Sequence, residues 1–150
     1  MNEPLSPRLQ QEEPSTELVN QVFVYGTLKS GGQVRGLDLF GDHAEIQGKA
    51  KTTYPDYHMH DLGAFPAVSR GEHFIQGEVW KVSLYAESRI DDIEGYGGED
   101  SQNMYNKEKV QTSLGPAYMY TMDIEQASEW AQNSDSGSIT EVDNTFIWNL

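Results

Sequence analysis

From residue 22 onward the chain alternates short β-branched or aromatic runs with Gly, Pro and Asp breaks. VFVY at 22–25, AEIQGKAKTTYPDYHMHDLG at 44–63, FPAVS at 65–69, HFIQGEVWKVSL at 73–84, NKEKVQTS at 106–113 and PAYMYTM at 116–122 succeed one another at the spacing of a compact sheet or barrel. Between Ser83 and Gly95 the period changes. Ala86, Ile90 and Ile93 fall at i, i+4 and i+7, Ser83 is available as N-cap and Gly95 as the residue past the C-cap, which predicts a helix of about three turns. Weaker helical patterns cover 33–39 and 124–132. Residues 1–18 carry three prolines and no periodicity, and are expected to be a flexible acidic arm ahead of a single domain over 19–150. The tail SDSGSITEVDNTFIWNL begins as a polar linker, and its apolar Phe146-Ile147-Trp148 is expected to dock on the body. The class that results is α+β with the sheet dominant.

Composition narrows the function. The 150 residues hold 10 basic and 24 acidic side chains, a formal charge of −14, which is the wrong sign for neutralising phosphates and excludes nucleic acid and anionic membrane as natural partners. Much of the acidity lies at the ends: residues 1–20 have four acids against one arginine, and residues 121–150 have six acids and no base. Cysteine is absent, which removes thiol catalysis, disulfides and thiolate metal sites. No apolar run approaches the roughly 20 residues of a membrane helix, and the N-terminus lacks the basic start and apolar middle of a signal peptide, so a cytoplasmic protein is expected.

Two stretches carry candidate chemistry. In VFVYGTLKSGG, Gly26 and Gly31 stand five apart as in a phosphate loop, but Gly32 and Gln33 occupy the places of the lysine and the hydroxyl residue. What remains is a strand end whose consecutive N–H groups can converge on a carboxylate or carbonyl oxygen, or else a plain turn. On the predicted helix, Glu87, Asp91 and Glu94 form a second stripe. For Glu87 and Asp91 a solvated acidic face suffices. Glu94 falls in the last turn, at the negative end of the helix dipole, where an acid is disfavoured by roughly 0.3–1 kcal/mol, with Asp91 one turn back. Both effects raise its pKa toward the range of a base or proton shuttle at neutral pH.

FVYGTLKSG, and IDDIEGYGG with MYNKEKV after it, together resemble the gamma-glutamylcyclotransferase-like superfamily, closest to its gamma-glutamylamine cyclotransferase branch. The family order Y-G-T-L, F-P-A-V, G-E-V-W/Y, L-D-x-x-E-G and Y-x-R-x-x-V is matched here at 25–28, 65–68, 77–80, 90–95 and 105–110, within a likeness over about 22–122. The resemblance implies a small mixed β-barrel with flanking helices and a cavity between the Y-G-T-L loop and the glutamate. It implies an intramolecular reaction in which the α-amine of a γ-glutamyl group attacks its own side-chain amide, giving 5-oxoproline and a free amine without a cofactor. The backbone of Tyr25, Gly26, Thr27 and Leu28 would anchor the γ-glutamyl group and Glu94 would move the proton. Tyr105 matches the family tyrosine beyond the glutamate and is carried as a substrate-site residue. The chain departs from the family pattern at Lys107, where arginine is usual, at Gln33-Val34, where the family has Pro-Asn, and over the polar insertion at 99–103.

Other readings compete. His58 and His60 share a strand face beside Asp61, but two histidines are too few for a metal site by themselves. Ser69-Arg70-Gly71 forms no nucleophile elbow. Tyr118 and Tyr120 alternate as sheet-packing residues, either of which can line a cavity. The alternative in function is a non-catalytic binding protein on the same scaffold, which would sequester a small anionic ligand or, through its acidic ends, a basic protein partner.

Overall fold

The computed structural model describes residues 13–29, 36–98, 104–132 and 134–150. Its elements are β1 (Asn20–Val24), a 3-10 helix (Gly36–His43), β2 (Ala44–Lys51), β3 (Tyr57–Asp61), β4 (Pro66–Arg70) and β5 (Phe74–Val82). They continue with α1 (Leu84–Ile93), β6 (Asn106–Thr112), β7 (Gly115–Thr121), α2 (Ile124–Ala131), β8 (Ile139–Val142) and β9 (Thr145–Trp148). Every run expected as strand forms one. The long run at 44–63 yields two strands, because it is interrupted at Tyr54-Pro55-Asp56, where Pro55 cannot donate to a ladder.

β5 organises the sheet. It pairs antiparallel with β1 and β2; β1 pairs parallel with β7, and β7 antiparallel with β6. The sheet curls so that its outer strands meet at one end, where Thr52 bridges Thr112 and the Ser113 N–H donates to the Lys51 carbonyl at 2.9 Å. The expected mixed barrel is therefore a half-barrel, with β3 and β4 forming a separate two-stranded sheet. Val22, Phe23 and Val24 are all buried because β1 has a core on each face. Val22 and Val24 pack with Ala86 and Ile90 of α1 and Ala127 of α2, whereas Phe23 joins Ala50, Val79, Val110 and Met119 from the other strands of the curl.

α1 obeys its sequence signals closely. Ser83 Oγ accepts the Ala86 N–H at 3.1 Å, and the helix ends at Glu94 with Gly95 at φ 68. The Tyr96 N–H reaches the Asp91 carbonyl and the Gly95 N–H the Asp92 carbonyl, the paired bonds of a Schellman cap. Ala86 and Ile90 are buried, but Ile93 is 54% exposed, because the third apolar position turns toward a cavity rather than the core. α2 lies where the weak pattern over 124–132 put it. The helix expected at 33–39 is corrected. Residues 30–35 lie outside the described residues, and from Gly36 the chain forms a 3-10 segment, opened by that glycine at φ 64 and kinked by Gly41 at φ 56, a backbone no α-helix tolerates.

The tail docks as expected, and as a hairpin. Val142 pairs with Thr145 across Asp143 and Asn144, whose φ of 52° and 60° define a two-residue left-handed turn. Phe146 stacks on His73 with ring centroids 4.3 Å apart and meets His58 edge-on at 5.0 Å. His58 lies 4.7 Å from His60, and the outer ends of this row are held by Ser69 Oγ, 2.7 Å from His60 Nε2, and by Glu141, 3.0 Å from His73 Nε2.

Burial, and then the proximity of His58, pull the His60 pKa down to about 4; burial, and then His73, lower that of His58 against an opposing pull from Glu141. A histidine kept neutral in the fold but basic when unfolded contributes stability that is complete above its ordinary pKa of about 6.5 and is lost as pH falls toward the folded value. Between pH 6.5 and 4, the urea midpoint of the native chain should therefore fall more steeply than that of a His60→Gln variant. Equal slopes for the two proteins in parallel titrations would refute this.

Candidate active site

The chain leaves β1 through a tight turn in which the Lys29 N–H donates to the Gly26 carbonyl at 3.0 Å. Gly26 is required there by contact, since a Cβ would lie 2.8 Å from Pro66 Cγ at the start of β4. Within the described residues, the N–H groups of Gly26, Thr27 and Leu28 have no hydrogen-bond acceptor, although Gly26 and Leu28 are buried. Buried N–H groups are nearly always paired, so this turn presents donors to whatever occupies the space in front of it.

That space is a cavity of about 320 Å³. Tyr25, Gly26, Thr27 and Leu28 line one side, and Glu94 and Tyr105 also line it, so all six residues singled out in the sequence share one cavity. Phe23, Val24, Phe65, Pro66, Ile93, Met104 and Tyr120 complete its described wall and were not assigned to the site from sequence. Two signals were present: F-P-A-V is part of the family pattern, and the Tyr118-Tyr120 alternation left one tyrosine free to face inward. Met104 gave no such signal. It is brought in by Gly95, where a Cβ would stand 3.0 Å from the Met104 Cβ. The insertion at 99–103 lies outside the described residues.

Glu94 is the ionisable centre of the cavity. Its pKa is pushed up to about 7, and burial is the cause. Among the described residues its carboxylate has no hydrogen-bond or ion-pair partner. This corrects the expectation that the helix dipole and Asp91 raise it. It also corrects the solvated acidic face, because Glu87 is 8% exposed and Asp91 half-buried, both held by Lys107 from β6. Lys107 Nζ lies 2.6 Å from Glu87 and 3.1 Å from Asp91, and the other Glu87 oxygen accepts from Asn20 at 2.7 Å. Burial pulls the Lys107 pKa down, but the hydrogen bonds and charges of Glu87 and Asp91 outweigh it and the net shift is upward. The lysine that replaces the family arginine thus faces α1 and does not line the cavity.

Three tyrosines surround Glu94, each with its proton committed elsewhere. Tyr25 donates to the Tyr120 carbonyl at 2.6 Å, Tyr105 to the Pro66 carbonyl at 2.7 Å, and Tyr120 to Asp91 at 2.5 Å. Burial first, and then neighbouring groups including Glu94, raise all three phenol pKa values, so they stay neutral. Among the described residues the cavity therefore offers unpaired backbone donors, one carboxyl group with a pKa of about 7, and otherwise apolar or neutral walls.

No metal cluster among the described residues competes with it. His58 and His60 face each other away from the cavity, and no group of three or more His, Asp or Glu able to hold a metal occurs among the described residues. Ser69 bonds His60, and Ser83, bonded to His43 at 2.7 Å, is fully buried as the α1 N-cap; neither lines the cavity. No helix among the described residues is long and apolar enough to cross a membrane.

Comparison with known proteins places the chain in a family. The family model described as gamma-glutamyl cyclotransferase, AIG2-like, matches residues 22–140, and the chain belongs to that family. A Vibrio cholerae relative, provisionally described as a gamma-glutamylcyclotransferase, is 31% identical over 99 residues, 66% of this chain and 78% of the relative. The gamma-glutamylcyclotransferase family protein YtfP of Escherichia coli K12 is 27% identical over 67% of this chain and 80% of its own length. Among solved structures, an AIG2-like protein of Mus musculus superposes with a TM-score of 0.58 at 23% identity, covering 76% of this chain and 83% of its own, which supports the fold. A Pyrococcus horikoshii protein does so at 0.54 and 23% identity, covering 69% of this chain and 78% of its own.

These charges have two effects on stability. A carboxyl whose folded pKa lies above its unfolded value costs nothing below about pH 4.5 and destabilises increasingly as pH rises to about 7. Glu94→Gln should accordingly stabilise the protein by about 1–3 kcal/mol at pH 8 and by little at pH 4, measured by urea unfolding at both values. Lys107→Met leaves Glu87 and Asp91 without their cation and should cost about 3–5 kcal/mol, whereas Lys107→Arg should retain most of the stability.

Proposed function

We propose that this protein is a γ-glutamyl cyclotransferase in which Glu94 is the general acid and base and the turn at Tyr25, Gly26, Thr27 and Leu28 is the substrate cradle. The observation that carries the reading is the pairing, across one cavity, of backbone donors and a carboxyl group of pKa about 7 that have no partners among the described residues. The donors suit the α-carboxylate of a γ-glutamyl group, and they bind an anion locally whatever the net charge of the protein. The α-amine of the substrate has an ordinary pKa near ~7.7–8.0, within reach of Glu94.

In the reaction the amine nitrogen forms a bond to the γ-carbonyl carbon, the amide C–N bond breaks, and the products are 5-oxoproline and a free amine. Glu94 takes the proton released by the attacking nitrogen and returns it to the leaving nitrogen. Because nucleophile and electrophile belong to one molecule, the protein mainly has to fold the substrate into a near-attack shape. Tyr105, fixed by its bond to Pro66, forms part of the wall against which that shape is held. No cofactor enters this chemistry. The reading treats the region from about residue 19 as a single catalytic domain acting on a small molecule. The position of Lys107, turned onto the acids of α1, weakens the alternative of a scaffold that has lost catalysis along with the family arginine.

Incubation with a panel of γ-glutamyl amides should release 5-oxoproline, monitored by mass spectrometry, with kcat/KM rising as pH passes through about 7 and Glu94 ionises. Glu94→Gln should lower kcat by about 10²–10⁴-fold. Absence of product from every amide, or equal rates in the two proteins, would remove the enzymatic reading.

A further inference from the structure

β9 lies where β1 stops. β1 covers one edge of β5 as far as the Val24 and Glu78 pair, and β9 continues along that edge at Phe74 and Ile75, whose other side is taken by Thr52. β9 runs parallel to β5, so its C-terminal end advances toward the point at which β1 turns away into the Gly26 turn. There the Lys29 ammonium donates to the Trp148 carbonyl at 2.6 Å. Lys29 closes the turn through its own N–H, is half-buried, and is not among the residues lining the cavity. Glu78 attracts its ammonium and Lys49 repels it. Trp148 lies beyond the residues matched by the family model, so this bond joins the family core to a segment outside that match.

We propose that the β8–β9 hairpin is a brace for the substrate cradle, and that Lys29 is the positioning residue through which it acts. The inference rests on the cyclotransferase reading for its kinetic form, but the mechanical link is independent of it. The turn donates through N–H groups that no neighbouring strand fixes, so their direction depends on what holds the turn from behind. The turn is held by the Lys29 bond to Trp148, by the Leu37 N–H, which donates to the Leu28 carbonyl at 3.2 Å, and by the packing of Gly26 against Pro66 of the cavity wall. The hairpin is itself secured at its far end by Phe146 on His73 and by the Phe74 N–H donating to the Asn144 carbonyl at 2.8 Å. Losing either attachment should blur the cradle without altering Glu94, which belongs to α1.

A double-mutant cycle on the full chain tests this. Lys29→Met should raise KM about tenfold, the equivalent of one charged hydrogen bond, with kcat changed less than twofold, and Lys29→Arg should recover most of the loss. Phe146→Ala, or Phe146→Leu if the alanine variant does not fold, should raise KM in the same direction, and the double variant should show no more than the larger single effect. Amide exchange should be faster across residues 145–148 in Lys29→Met than in the native chain. Additive KM effects would mean that Lys29 contacts substrate directly, and an unchanged KM would mean that the brace does not reach the cradle; either overturns the proposal. If the native chain turns over no γ-glutamyl amide, the proposed function fails by itself, and the exchange comparison then decides the brace, with equal rates at 145–148 counting against it.

Discussion

One ammonium group holds two acids of α1. Lys107, reaching from β6, is shared by Glu87 and Asp91, successive members of an acidic stripe whose third member is Glu94. Without that cation Glu87 and Asp91 would be left unpaired on the partly buried face of α1, whose Ala86 and Ile90 pack in the core. With it, two acids are paired, and the third, which has no partner among the described residues, lies in a largely apolar wall where desolvation raises its pKa. The same residue type at the same periodicity therefore has two opposite electrostatic roles within two turns.

Among the described residues, the cavity wall places no second charged side chain beside Glu94. Tyr25, Tyr105 and Tyr120 supply polar oxygen atoms near the carboxyl group, but their protons are directed to backbone carbonyls or to Asp91. The donors suited to an anion are main-chain N–H groups, which carry no net charge and cannot be titrated away. In this protein of formal charge −14, the described wall of the cavity has no lysine or arginine, and oriented N–H groups attract an anion locally whatever the net charge.

Much of this was legible in the sequence, and the failures have physical reasons. β-branched alternation located the strands, and the Ser83 and Gly95 caps located α1, because both signals are local. The Gly26 turn and Glu94 were recognisable because family pattern and helix-end chemistry pointed to the same residues. The roles of Glu87 and Asp91 were misjudged because their cation, Lys107, lies on a different element that only the tertiary fold brings near. For the same reason the dipole argument gave the right direction for Glu94 from the wrong cause: burial is a property of the assembled cavity. The C-terminal hairpin was half visible, since the apolar Phe146-Ile147-Trp148 pointed to docking, but no residue in the tail indicated a hairpin or that Trp148 would meet Lys29.

The Schellman cap at Gly95 has an evolutionary consequence. Its two backbone hydrogen bonds complete α1 using only the helix and the two residues after it, so the position of Glu94 is settled before the chain enters the next, polar stretch. That stretch can lengthen, shorten or change composition without disturbing the carboxyl group. A lineage built on this scaffold is free to vary the sequence that follows the cap while the carboxyl group of Glu94 stays in place.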